Sequence, residues 1–173
     1  GDENNISFTP ENSSREFMLG DKINVDFNSV CLKVIREEEE YLLATVEHGG
    51  VVGSNKAADI NKEIKLPALT CKDREAFDIG MKNKVSNFSL SFTNEADDVR
   101  QIRSIIGNEA NLISKIESIR GVLNLGEILP LVDQILIDRG DLSRQIPIEK
   151  IPLIQRRIIS YSNSKDVPVF VAT

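Results

Sequence analysis

Histidine and cysteine are nearly missing from this chain, and long apolar runs are missing altogether. Among its 173 residues there are one histidine and two cysteines. His48 has no cysteine or second histidine beside it with which to share a metal, so it reads as an ordinary loop residue. Cys31 and Cys71 lack any motif spacing and read as free thiols of a reducing compartment. No apolar stretch approaches the ~20 residues of a membrane-spanning helix. The opening Gly1-Asp2-Glu3-Asn4-Asn5 does not have the form of a signal peptide. The expectation is a cytoplasmic protein without a membrane partner. Positive charge is also in deficit: 21 Lys and Arg face 27 Asp and Glu, a formal net charge of −6. Nucleic acid and acidic membrane surfaces need a net basic face, so neither is expected as a partner. A local basic site for an anionic metabolite stays open. Neither a G-x-G-x-x-G nor a Walker A sequence occurs, which argues against dinucleotide and P-loop folds.

The chain reads in two halves. Residues 1–66 carry short alternating runs at 6–8, 22–27, 31–35 and 41–46, separated by turn residues such as Gly20-Asp21 and Asn28-Ser29. Period-two patterning at this spacing predicts a small all-β unit. The Glu37–Glu40 run falls between two of these strands and reads as a solvated hairpin tip, since neighbouring carboxylates point in different directions.

After Pro67 the rhythm changes. Apolar runs at 87–92, 111–116, 134–137 and 167–172 are nearly continuous, the pattern of strands buried on both faces of a parallel sheet. Helical segments separate them. Thr70 is the expected N-cap of a helix over 72–82, and Asn94 that of one over 95–106, with Gly107 past its end. Ser118 opens 119–129, and a last helix spans 148–163, where Pro152 favours a start near that residue. Strand–helix alternation of this length predicts βαβ units, hence a (β/α) barrel or a doubly wound sheet.

Polar residues concentrate where the strands end. Ser91 closes the first, Lys115 and Glu117 the second, Asp138, Arg139 and Asp141 the third, and Thr173 the fourth. The C-terminal strand ends are where a barrel builds its site. Lys115 and Glu117, two apart, share one face of a strand. A lysine for an anion beside two carboxylates, Glu117 and Asp141, suits Mg²⁺, which takes oxygen ligands and keeps open positions for water and phosphate. Gly140 allows backbone to approach a ligand. Structural ion pairs at strand ends would give the same spacing, and spacing alone leaves both readings open.

These residues also carry a resemblance. Ile113-Ser114-Lys115-Ile116-Glu117 followed by Gly121-Val122-Leu123-Asn124-Leu125 resembles a signature of the pyruvate kinase family. So do Arg139-Gly140-Asp141-Leu142 with Ile146-Pro147-Ile148-Glu149-Lys150, and Val167-Pro168-Val169-Phe170-Val171-Ala172-Thr173. Leu66-Pro67-Ala68-Leu69-Thr70 resembles the junction between the family's lid and barrel, and Gly49-Gly50-Val51-Val52-Gly53-Ser54-Asn55-Lys56 its glycine-rich lid segment.

The resemblance implies a small all-β lid over 1–66 and a partial (β/α)8 TIM barrel of four βα units over 67–173. It implies phosphoryl transfer between phosphoenolpyruvate and ADP, giving pyruvate and ATP. Lys115 would stabilise the enolate, Glu117 and Asp141 would hold Mg²⁺ or Mn²⁺, and backbone N–H groups around Gly140 would bind substrate. Thr173 would stand where the enolate is protonated, and Lys56 would reach the nucleotide phosphates. K⁺ would be needed, with its ligands outside this chain, and the parent protein would be a homo-oligomer, a tetramer in the family. Four strands cannot close an eight-stranded barrel, so the 173 residues read as one piece of a longer protein.

Departures accompany the match. The family's alanine before Arg-Gly-Asp is here Asp138, its Asp-Asp-Gly is Asp26-Phe27-Asn28, and its Lys-Gly-Val-Asn is Lys56-Ala57-Ala58-Asp59. Ser143 and Gln145 stand where it has glycine and an acid. They motivate an alternative, a catalytically silent regulatory or structural subunit. Asp138 in particular is expected to repel the phosphoenolpyruvate anion unless it pairs with Arg139 or Arg144 or joins the metal's ligands.

Overall fold

The computed structural model describes residues 2, 4–10, 13–64 and 66–172. The chain divides into two compact units, Gly1–Leu66 and Pro67–Thr173.

The first unit is built on an antiparallel sheet in the order β3-β2-β1-β4, comprising β1 (Lys22–Val25), β2 (Val30–Glu37), β3 (Leu42–His48) and β4 (Ala58–Ile60). Alternation puts Ile23 and Val25 of β1 and Leu32 and Val34 of β2 on one buried face, where Phe17 joins them. The expected strand over 6–8 does not form. Phe8 instead packs edge-on against Phe17, ring centres 5.4 Å apart, so its apolar pattern serves a loop that covers the sheet. β1 stops at Val25 because Asp26, Phe27 and Asn28 turn left-handed, with φ of 52°, 52° and 69°. The Asp26 carbonyl accepts the N–H and Oγ–H of Ser29 across this turn. Gly50 is required to be small: a Cβ there would lie 2.3 Å from the Ser29 carbonyl oxygen. The acidic run ends β2 and leads into the β2–β3 connection, as its spacing predicts.

The second unit is a mixed α/β structure on a four-stranded parallel sheet in sequential order: β5 (Asn87–Leu90), β6 (Asn111–Ile116), β7 (Gln134–Asp138) and β8 (Val169–Ala172). Its helices are α1 (Cys71–Lys82), α2 (Ala96–Ile106), α3 (Ile119–Leu123), α4 (Leu125–Ile128), α5 (Arg139–Leu142) and α6 (Ile151–Asn163). Thr70 caps α1 reciprocally with Asp73, as expected. The N-cap of α2 is Glu95, not Asn94. The Asp98 carboxylate accepts the N–H groups of both Asn94 and Glu95, which advances the start by one residue. The segment after Ser118 is not one helix but α3 and α4, broken at Asn124, whose side-chain amide donates to the Asn94 carbonyl.

Val99, Ile102 and Ile106 form the apolar stripe of α2, and they pack with Leu112, Ile116, Ile135 and Ile137 of the strands and Ile158 of α6. The strands are buried on this face only. Leu112, Ser114 and Ile116 are buried while Asn111, Ile113 and Lys115 are partly exposed, and Phe170 of β8 is 50% exposed. The expectation of strands buried on both faces is therefore corrected: helices cover one face, and the second stays open. A clamp closes the sheet's N-terminal end. Arg103 donates to the carbonyls of Leu131, Gly107 and Ala110 and pairs with Asp133 at 2.7 Å, while Asp133 accepts the Leu112 N–H.

Candidate functional site

The polar strand ends converge on the open face. Lys115 lies in β6 with its side chain on that face, and Glu117 follows directly after the strand. The Glu117 side chain is 1% exposed, and its Oε2 accepts the Phe92 N–H, 2.6 Å away, from just beyond β5. Its Oε1 lies 2.6 Å from Lys115 Nζ, a buried ion pair. Lys115 Nζ is also 3.5 Å from Ser91 Oγ and 4.0 Å from Asp138 Oδ2. Burial opposes charge on this lysine, but Glu117 beside it, and Asp138 and Asp141 nearby, outweigh that effect and hold its pKa above the ordinary value.

Asp138 is the last residue of β7, and its Oδ1 accepts the Asp141 N–H at 3.2 Å, so it caps the short α5. Asp141 stands on α5 rather than on a strand, and Arg144, one turn on, pairs with its Oδ1 at 2.9 Å. Arg139 turns to the Ala172 carbonyl of β8. The expected pairing of Asp138 with Arg139 or Arg144 is not what these arginines do: the first binds backbone and the second binds Asp141. Gly140 sits against Asp138, whose Oδ1 would be 3.3 Å from a Cβ placed there. The Asp141 N–H, one of the amides expected to meet a substrate, is thus engaged by the chain's own carboxylate.

Glu117, Asp138 and Asp141 each offer a carboxylate oxygen, all within 4.8 Å of one another, the one such ligand group among the described residues. An all-oxygen donor set of this kind fits a hard divalent cation. Sequence alone leaves Asp138 between pairing with an arginine, joining the metal's ligands and repelling the anion. Strand parity carries the signal: Gln134, Leu136 and Asp138 alternate onto the partly exposed face of β7, and Leu136 pairs in register with Lys115. The Phe92 N–H on Glu117 had no sequence signal, because any residue could donate it.

Lys56 belongs to the first unit, where its Nζ is 3.4 Å from Asp26 Oδ1 and the side chain is 45% exposed. Thr173 lies outside the described residues. Cys31 and Cys71 are free thiols. No helix among the described residues is long and apolar enough to cross a membrane.

The second unit defines an α/β protein of successive strand–helix units, with Lys115, Glu117, Asp138 and Asp141 gathered at the C-terminal ends of parallel strands. Comparison with known proteins makes the class specific. The family description "Pyruvate kinase, barrel domain" matches residues 1–173, and the chain belongs to the pyruvate kinase family. It is 35% identical over 178 residues to a pyruvate kinase of Clostridium acetobutylicum, covering 100% of this chain and 38% of that protein. It is 36% identical over 177 residues to pyruvate kinase PKLR of Rattus norvegicus, covering 100% of this chain and 31% of that protein. A Mycobacterium intracellulare pyruvate kinase is 32% identical, again over the whole chain. The chain thus spans between 31% and 38% of the length of these relatives.

Proposed function

We propose that the full-length protein carrying this chain is a pyruvate kinase-type phosphotransferase, moving the phosphoryl group of phosphoenolpyruvate to ADP. The observation that carries the reading is the meeting of Lys115, Glu117 and Asp141 at the ends of β6 and β7, in segments that match the family throughout. On this reading residues 67–173 supply four βα units of a (β/α)8 barrel, and residues 1–66 supply a lid that brings Lys56 to the nucleotide phosphates.

In the reaction the bond between phosphorus and the enol oxygen breaks, a bond from an ADP phosphate oxygen forms, and the enolate left behind takes a proton at carbon to become pyruvate. The demand on the protein is for charge and placement. Glu117 and Asp141 would hold Mg²⁺ or Mn²⁺, which when bound neutralises phosphoryl oxygens. Lys115 presents its ammonium to the oxygen on which negative charge grows, an interaction stronger in the transition state than in the ground state. Its ammonium is charged at neutral pH, and the neighbouring carboxylates hold its pKa above the ordinary value. Thr173 would serve the protonation step. K⁺, a homotetrameric parent and a cytoplasmic setting belong to the same reading.

The test is coupled measurement of pyruvate formation by the full-length protein with saturating Mg²⁺ and K⁺. Lys115→Met should lower kcat by about 10²–10³-fold, the usual cost of removing one preorganised charge stabiliser. Undiminished turnover would refute the role of Lys115. A second reading, a silent subunit, is favoured by one observation: the Asp138 carboxylate already engages the Asp141 N–H. No pyruvate formation by the unmodified protein under these conditions would establish it over the first.

A further inference from the structure

We propose that Asp138 is a third carboxylate of the divalent-cation site, so that this chain binds the cation more tightly than a neutral residue at 138 would allow. The inference rests on the metal reading above and concerns a residue that reading does not use. The geometry comes first. Asp138 Oδ1 is committed to the Asp141 N–H, while Oδ2 lies 4.0 Å from Lys115 Nζ, beyond hydrogen-bond reach. Glu117 Oε1 lies 2.6 Å from the same ammonium. Two carboxylate oxygens from different strands therefore flank one cationic group, and a ligating oxygen of Asp141 lies within 4.8 Å of both residues' oxygens. The Lys115 ammonium stands in for the cation that these oxygens would share.

Charge gives the consequence. The carboxylates of Glu117, Asp138 and Asp141 come together beside Lys115, with Arg144 paired to Asp141. A neutral residue at 138 would remove one of these three negative charges and weaken the attraction for a cation.

The experiment is a binding titration of Mn²⁺ against the full-length protein, read by the electron paramagnetic resonance of free Mn²⁺, with no substrate or nucleotide present. Asp138→Asn keeps an oxygen for the Asp141 N–H and removes only the charge. Asp138→Ala removes both, and serves if the asparagine variant does not fold. Glu117→Gln reports on the site as a whole. The expected result is Mn²⁺ affinity at least tenfold weaker in either Asp138 variant and in Glu117→Gln. Unchanged or tighter binding in the Asp138 variants, with loss in Glu117→Gln, overturns the role of Asp138 and leaves the metal site standing. No Mn²⁺ binding by the unmodified protein, or binding unaffected by Glu117→Gln, removes the metal site and this proposal with it.

Discussion

Replacing Arg103 with alanine should cost the second unit a large part of its stability without touching the charged end of the sheet. The guanidinium serves four acceptors: the carbonyls of Leu131, Gly107 and Ala110, and the carboxylate of Asp133. They do not count equally. The Gly107 carbonyl and the Asp133 carboxylate reach water and can rehydrate, so their loss costs little. The carbonyls of Leu131 and Ala110 are partly buried, and each left without a donor costs about 1–3 kcal/mol. The expected loss is therefore about 3 kcal/mol. At a urea slope of about 2 kcal/mol/M this moves the unfolding midpoint down by roughly 1.5 M. Arg103→Lys should recover only part of it, because a single ammonium cannot span three carbonyls. The pH dependence gives an independent check. Burial tends to raise the Asp133 pKa, but the Leu112 N–H and Arg103 outweigh it and hold it below the ordinary value. A depressed carboxylate pKa contributes stability above the unfolded value, about 3.9, that is lost as pH falls through the folded one. The variant has less of this to lose, so the gap between the two proteins should narrow below about pH 4. A midpoint shift under about 0.3 M would mean that water replaces the guanidinium, and the clamp argument would fail.

Two further outcomes test other parts of the structure. Lys115, with its raised pKa, contributes stability that is whole below the unfolded value near 10.4 and is lost as pH rises through the folded one. Denaturation curves taken from about pH 9 to 12 should fall more steeply for the unmodified protein than for Lys115→Met, and parallel curves would contradict the pairing. Gly121→Ala would set a Cβ 2.5 Å from the Thr93 carbonyl oxygen, backbone that cannot swing aside. It should destabilise by about 2 kcal/mol or more, seen in the same urea titration, and a neutral result would show that α3 can shift.

The legibility of the fold in the sequence followed the strength of local pattern. β6 begins and ends where its apolar run does, because Asn111 and Glu117 bound it sharply. β4 went unseen: three residues, with Ala58 and Ile60 on either side of an aspartate, are too few to show a period. The run at 6–8 alternates correctly but spends its aromatic ring on Phe17 rather than on a ladder. The break at Asn124 depends on a bond to Asn94, thirty residues away, which no window along the chain contains. At the site, residue type and spacing were enough to mark Lys115, Glu117 and Asp141 as candidates. What they could not give is the contact of Glu117 with backbone from β5, or the turn of Asp138 toward Lys115. Both depend on the register between neighbouring strands.

The Phe92–Glu117 contact also bears on how such a site withstands mutational drift. The donor that orients the carboxylate is a main-chain amide, so no exchange of side chain at 92 deletes it except to proline. Phe92 has φ of 49°, so glycine or asparagine there should hold the same pose with less strain. Selection on the carboxylate's orientation therefore falls on the path of the backbone, not on the residue's identity.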